Sequence, residues 1–283
     1  MDRRAFLTSL GLAAAATQLD CASASMGGAS TRRLRRVGIQ LYTLRDDARR
    51  DLERTLADIA AAGYNDVEML GGMNNFGMAP ERVRAILDKN GLRAPSTHVG
   101  GSDFDNLDRQ FAAAATLGHK YIVLASLPDE QRTLDGYRRW ADRLNEAGKL
   151  ARTHDLWIAF HDEPYDFPPI DGMVPYEVLV DRTDPAVVRL QLDTGNAAMG
   201  GRDPLDYMKK YGSRYWLFHI KDAPRLGSPT DAELGKGVVD FRRLLGMIDH
   251  IDDKFLYVEQ ETYPGSPLDS ARRDYAYLSK LEF

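Results

Sequence analysis

Four short apolar runs in this chain each end on residues that can bind a metal or move a proton. They are Ile158-Ala159-Phe160-His161-Asp162-Glu163, Leu190-Gln191-Leu192-Asp193-Thr194, Leu217-Phe218-His219-Ile220-Lys221-Asp222 and Phe255-Leu256-Tyr257-Val258-Glu259-Gln260-Glu261. A histidine grouped with carboxylates suits a divalent cation, with Mn²⁺ placed first and Mg²⁺, Co²⁺ or Zn²⁺ also fitting. The only cysteine is Cys21, near the N-terminus, which argues against a thiolate-held structural zinc site. A cation held by carboxylates can bind adjacent oxygens of a sugar or keto-sugar, polarise the carbonyl and stabilise the enediolate left when a neighbouring C–H loses its proton. Carboxylates beside the metal can carry that proton.

For these residues to meet, their runs must be strands with a common inward face. Side chains alternate along a strand. Ala159, His161 and Glu163 then share one face, as do Gln191 with Asp193, Leu217 with His219 and Lys221, and Tyr257 with Glu259 and Glu261. Such polar groups would be costly against apolar outer helices, so these faces are expected to point inward, and Glu68 and His98 with them. A lone carboxylate at a strand end is more often a helix cap or a loop ion pair. Four strands ending alike shift the balance to one shared site.

The rest of the chain supplies matching elements. Further strands are predicted at Val37–Tyr42, Asp66–Leu70, Ala94–Val99 and Tyr121–Ala125. Helical spacing covers Leu52–Ala62, stopped by Gly63, then Pro80–Lys89, Asp105–Leu117 and Leu134–Thr153. Further helices fall near Pro175–Val180, Pro204–Tyr211, Phe241–Ile248 and Pro267–Leu281. This alternation predicts an α/β fold, a single (β/α)8 barrel, whose strand C-termini converge on one mouth. A doubly wound sheet would normally carry a glycine-rich turn after its first strand. Here that turn reads Thr43-Leu44-Arg45-Asp46-Asp47. The longest loops, Gly71–Met78, Pro164–Pro175 and Ala223–Lys236, follow strands and are expected to border the mouth.

The chain has 283 residues and a formal charge of −5. Mild acidity argues against a nucleic-acid surface. Residues 1–24 read as a Tat signal peptide: Arg3-Arg4, the apolar run from Leu10 to Ala16, then Ala22-Ser23-Ala24. That run is far shorter than the ~20 residues needed to span a bilayer, so membrane contact is expected only through export, and the mature protein is expected in the periplasm. Residues 25–36, with Arg32, Arg33, Arg35 and Arg36, read as a solvated linker, and residues 37–283 as the barrel.

Several segments resemble the sugar phosphate isomerase/epimerase superfamily, the xylose-isomerase-like barrels. They are Gly38-Ile39-Gln40-Leu41-Tyr42-Thr43-Leu44-Arg45-Asp46, Ala62-Gly63-Tyr64 with Val67-Glu68, Leu192-Asp193-Thr194-Gly195-Asn196, His219-Ile220-Lys221-Asp222, Gly235-Lys236-Gly237-Val238-Val239-Asp240-Phe241 and Val258-Glu259-Gln260. The resemblance implies a metal held by Glu163, Asp193, His219 and Glu259. At the fifth strand, Glu163-Pro164 resembles the Glu-Pro of ketose epimerases, whereas relatives with this opening motif carry His-Asn-His, aligning as His161-Asp162-Glu163. Glu163 is taken as the ligand, with His161 one layer below. The resemblance further implies Glu163 and Glu259 as the acid/base pair. Lys221 is expected to bind a substrate oxyanion, and His161, His98 and Glu68 to contact substrate. The expected activity is isomerisation or epimerisation of a small carbohydrate. A lyase or hydrolase acting on 3-keto-glycosides is the alternative, and a non-catalytic sugar-binding barrel the third reading.

Overall fold

The computed structural model describes residues 31–283. Among them are eight strands: β1 (Gly38–Gln40), β2 (Asp66–Met69), β3 (Arg93–Val99), β4 (Tyr121–Leu124), β5 (Trp157–His161), β6 (Val188–Asp193), β7 (Tyr215–Ile220) and β8 (Phe255–Val258). Each pairs in parallel with the next, and β8 returns to β1, so the barrel closes. This is the predicted (β/α)8 barrel. The helices are α1 (Arg45–Arg50), α2 (Leu52–Ala62), α3 (Pro80–Lys89), α4 (Asp108–Leu117), α5 (Leu134–Arg152), α6 (Pro175–Arg182), α7 (Thr194–Met199), α8 (Pro204–Tyr211), α9 (Phe241–Gly246) and α10 (Pro267–Leu278).

Local chemistry explains the elements that frame the mouth. In α2 the Asp51 side chain caps the Arg54 amide, Leu52, Leu56 and Ile59 bury one stripe, and Gly63 ends the helix at φ 109°. In α5, Thr133 caps Gly136, and Tyr137, Trp140, Ala141, Leu144 and Ala151 recur at helical spacing on the buried face. Inside the barrel, Tyr121, Val123, Ala159, Leu217 and Tyr257 form an apolar plug. The Arg189 guanidinium lies 3.8 Å from the Trp157 ring centre and 4.6 Å from that of Trp216. The polar groups of the site lie beyond this plug, toward the C-terminal ends of the strands.

Three expectations change in detail. β1 stops at Gln40, short of the predicted Tyr42, because the Gln40 side-chain carbonyl oxygen accepts the Tyr42 amide and starts a helical turn over Leu41–Leu44. α4 starts at Asp108 rather than Asp105, after a turn in which Asp103 accepts the Gly100 amide. The basic run is not a free linker. Arg32 exchanges backbone hydrogen bonds of 2.8 and 3.0 Å with Phe283, Arg33 pairs with Glu282, and Arg35 lies 3.5 Å from Asp252. Arg32–Phe283 accordingly form one compact unit. The signal reading of residues 1–24, with Cys21, lies outside the described residues.

Candidate metal centre

At the mouth, one ligand atom from each of His161, Asp193, His219 and Glu259 lies within 4.8 Å of the other three, and all four residues are buried. Each reaches the group by strand geometry. His161 and Asp193 are the last residues of β5 and β6, His219 is the penultimate residue of β7, and Glu259 follows β8. The register sets Asp193 opposite His219, and Gln191 opposite both His161 and Leu217. Asp193 also caps α7: its Oδ1 accepts the Asn196 amide at 2.8 Å. Its Oδ2 is buried and takes no aligned hydrogen bond, although Lys221 Nζ lies 3.2 Å away and His219 Nδ1 3.6 Å away. A buried carboxylate oxygen that takes no aligned hydrogen bond, grouped with two imidazoles and a second carboxylate, fits a divalent cation.

The groups around these four set their charge. His219 lies with Nδ1 2.9 Å from Glu259 Oε2 and Nε2 2.5 Å from Glu68 Oε2. Burial alone would lower its pKa, but Glu259 and Glu68 hold it well above the usual histidine value. His161 shifts the other way: burial and the neighbouring His219 and His98 push it well below that value, which leaves it neutral. Glu259 is kept ionised by Lys221 and His219 against its burial. Glu68, fully buried, is likewise held below the carboxylate range by His98 and His219 against its burial.

Lys221 is enclosed rather than presented to substrate. It is 1% exposed, and its Nζ lies 2.6 Å from Glu261 Oε1, 3.1 Å from Glu259 Oε2 and 3.1 Å from Asn196 Oδ1. Its backbone is clamped by Thr194 Oγ1, which donates to Lys221 O at 2.6 Å and accepts the Lys221 amide at 3.1 Å. Gly195 lets α7 lie against the lysine stem, because a Cβ there would overlap Lys221 Cγ. The ammonium thus neutralises the carboxylates around it.

The site opens into a cavity of about 330 Å³, within the range typical of small-molecule sites, about 300–1,000 Å³. His98, His161, Glu163, Glu259 and Glu261 line it, with Tyr42 and Asn196. Glu163, expected at metal depth, is not in the four-residue group; His161 takes the fifth-strand place. The reason is where β5 stops. The strand ends at His161, and Asp162 then turns to accept the Asp193 amide at 2.9 Å. Glu163 starts the next turn, its amide bonded to Asp166 Oδ2 at 2.8 Å, so the pleat assumed for it does not continue. Its carboxyl faces the cavity, and loss of solvent pushes it up to about 8 against the pull of Lys221. Glu68, expected to touch substrate, lies beneath the histidines and does not line the cavity. Gln40, Ser96 and Asn196 have no role in the expected site, and the available signal for them was a polar residue in an apolar strand or a small-residue turn.

The family model of the xylose isomerase-like TIM barrel matches residues 56–281. The chain belongs to this family. Inosose dehydratase 2 of Bacillus cereus is 37% identical over 194 residues, 62% of this chain and 64% of that protein. The chain thus spans less than two thirds of that relative. A sugar phosphate isomerase/epimerase from Parabacteroides distasonis ATCC 8503 superposes with a TM-score of 0.73 at 24% identity, covering 90% of this chain and 98% of that one. The IolI protein, in a structure with a bound zinc atom, superposes with a TM-score of 0.64 at 16% identity, covering 85% and 95%. Both superpositions show the shared barrel.

Proposed function

We propose that this protein is a divalent-metal-dependent lyase that removes a proton from the carbon next to a ketone in an uncharged polyhydroxylated substrate, a keto-sugar or keto-cyclitol, and expels the oxygen on the following carbon. The observation that carries the reading is the buried His161, Asp193, His219 and Glu259 group opening on a cavity that holds a further carboxylate, Glu163. A bound divalent cation would supply a Lewis acid for the ketone oxygen. Two imidazoles and two carboxylates shift the metal preference from Mn²⁺ toward Zn²⁺.

The residues then divide the work. The Glu163 carboxylate faces the cavity and is tied down by no other side chain, so it can take the α-proton. As the α-carbon electrons form a double bond to the β-carbon, the β C–O bond breaks. The proton on Glu163 then passes to the departing oxygen, releasing water or an alcohol. Glu259 is held by His219 and Lys221 and is less free to exchange protons. One free carrier on one face suits elimination; epimerisation needs carriers on both faces. The inosose dehydratase relatives are in line with elimination. Epimerisation is the second reading, supported by Glu261, which lines the same cavity from the β8 side. Among the described residues no lysine or arginine lines that cavity, so it offers a phosphate group no cationic side chain. Export through residues 1–24 to the periplasm is part of the same proposal, tested by fusing them to a reporter.

The test incubates zinc- or manganese-loaded protein with free keto-sugars, inososes and 3-keto-glycosides in deuterated water, with and without chelator. Chelator-sensitive loss of water or aglycone supports the lyase. Deuterium at the α-carbon with inverted configuration and no elimination would replace it with the epimerase. No exchange with any of the ketones, in protein shown to hold metal, would refute the enolisation chemistry itself.

A further inference from the structure

Beneath the four-residue group lies a polar layer that the proposed chemistry does not use. Glu68, 0% exposed, is its centre. Its Oε1 accepts from Ser96 Oγ at 2.6 Å, its Oε2 from Gln40 Nε2 at 2.9 Å, and Gln191 Nε2 lies 3.0 Å from both oxygens. The Gln40 side-chain carbonyl oxygen is taken by the Tyr42 amide, so its NH₂ must face Glu68. An ionised carboxylate only accepts, so Gln191 must also turn its NH₂ to Glu68. Its Oε1 then faces the histidines, 2.7 Å from His98 Nε2 and 3.1 Å from His161 Nδ1. An amide oxygen only accepts as well, so both ring nitrogens must carry protons.

From this geometry we infer that Glu68 and Gln191 form one platform that sets the tautomers of both imidazoles in the metal centre, and sets them oppositely. His161 is held with its proton on Nδ1, and its Nε2 lone pair, 3.4 Å from the Asn196 amide nitrogen, is the one open to a cation. His219 donates Nε2–H to Glu68, leaving Nδ1 for the same cation, on the side of Asp193 and Glu259. The near-parallel stacking of His98 on His219, with ring centres 5.1 Å apart at 19°, and the edgewise contact of His98 with His161, at 4.8 Å, keep the rings from turning. Glu68 and Gln191 are thus positioning residues. Partners of this kind typically contribute about 10–100-fold to metal affinity.

The inference rests on the metal reading only for its second half. In metal-free protein, two-bond ¹⁵N–¹H correlation spectra of ¹⁵N-histidine-labelled chain should show His161 as the Nδ1–H tautomer. In zinc-loaded protein, His161 should bind through Nε2 and His219 through Nδ1. Gln191→Leu should weaken zinc affinity by ~10-fold or more in competition with a chromophoric chelator, and His161 should lose its single tautomer. An Nε2–H tautomer of His161 in the metal-free wild-type protein would overturn the platform whatever the metal does. Zinc held through the same ring nitrogen of both histidines would overturn the opposite assignment. An intact His161 tautomer with no zinc binding would sink the metal centre and leave the platform standing. Because the wild-type spectra decide the tautomers, a poorly folding Gln191→Leu does not shield the inference.

Discussion

Replacing Lys221 by methionine removes one buried positive charge from among three carboxylates. Lys221 Nζ lies within 3.2 Å of Asp193, Glu259 and Glu261, and its side chain is 1% exposed. Methionine fills much of the same volume, so the main loss is charge. Leaving one partner of a buried ion pair uncompensated costs about 3–5 kcal/mol. For a barrel of this size that corresponds to a melting point lower by roughly 6–20 °C, from about 2–4 °C per kcal/mol. A divalent cation would bring positive charge back to the same carboxylates. Zinc or manganese should therefore raise the melting temperature of metal-free Lys221→Met by more than it raises that of the wild type. The ammonium also repels a cation beside it, so metal affinity in the variant should equal or exceed the wild-type value. The assay is differential scanning calorimetry of chelator-treated and metal-loaded protein at matched concentrations, with metal content measured in parallel. A metal-free variant that melts at the wild-type temperature would show that Lys221 does not neutralise this pocket. A variant that melts low and gains nothing from metal would show that the carboxylates around Lys221 do not share a cation with the histidines.

Three further outcomes follow from the same geometry. His161→Gln should lose metal, read by elemental analysis after dialysis, while Glu163→Gln should keep it and lose α-proton exchange; the reverse pattern would return the fifth-strand ligand to Glu163. Gly195→Ala should cost about 1–3 kcal/mol through overpacking against the Lys221 stem, and urea unfolding of wild-type stability would contradict that contact. Asp274 accepts the Leu234 amide at 2.9 Å, and burial pushes its carboxyl up to about 7 from 3.8. The folded state then binds more protons than the unfolded state between those values, so this group's contribution falls as pH rises toward 7. Asp274→Asn should accordingly gain melting temperature relative to wild type at pH 8 and not at pH 4, and a pH-independent difference would refute the shift.

The barrel and the neighbourhood of the site were legible in the sequence because both follow from short-range periodicity. Apolar runs of four to seven residues between helical stretches need a parallel sheet covered on its outer face, and side-chain alternation puts His161, Asp193, His219 and Glu259 on inward faces at strand ends. What periodicity does not encode is where a strand stops and what packs across the barrel. Glu163 and His161 have the same parity, so alternation ranks them equally. The choice between them rests on β5 ending where Asp162 meets the Asp193 amide, a contact across 31 residues of chain. Lys221 reads from sequence as a free inward cation. Its enclosure depends on Glu261 from beyond β8 and on Asn196 and Gly195 at the start of α7. Glu68 lies 151 residues from His219, and only closure of the barrel brings its carboxylate beneath the ring and gives it the role of support. Ligand types are thus a property of the local pattern, while their protonation, depth and partners belong to contacts between strands distant in the chain.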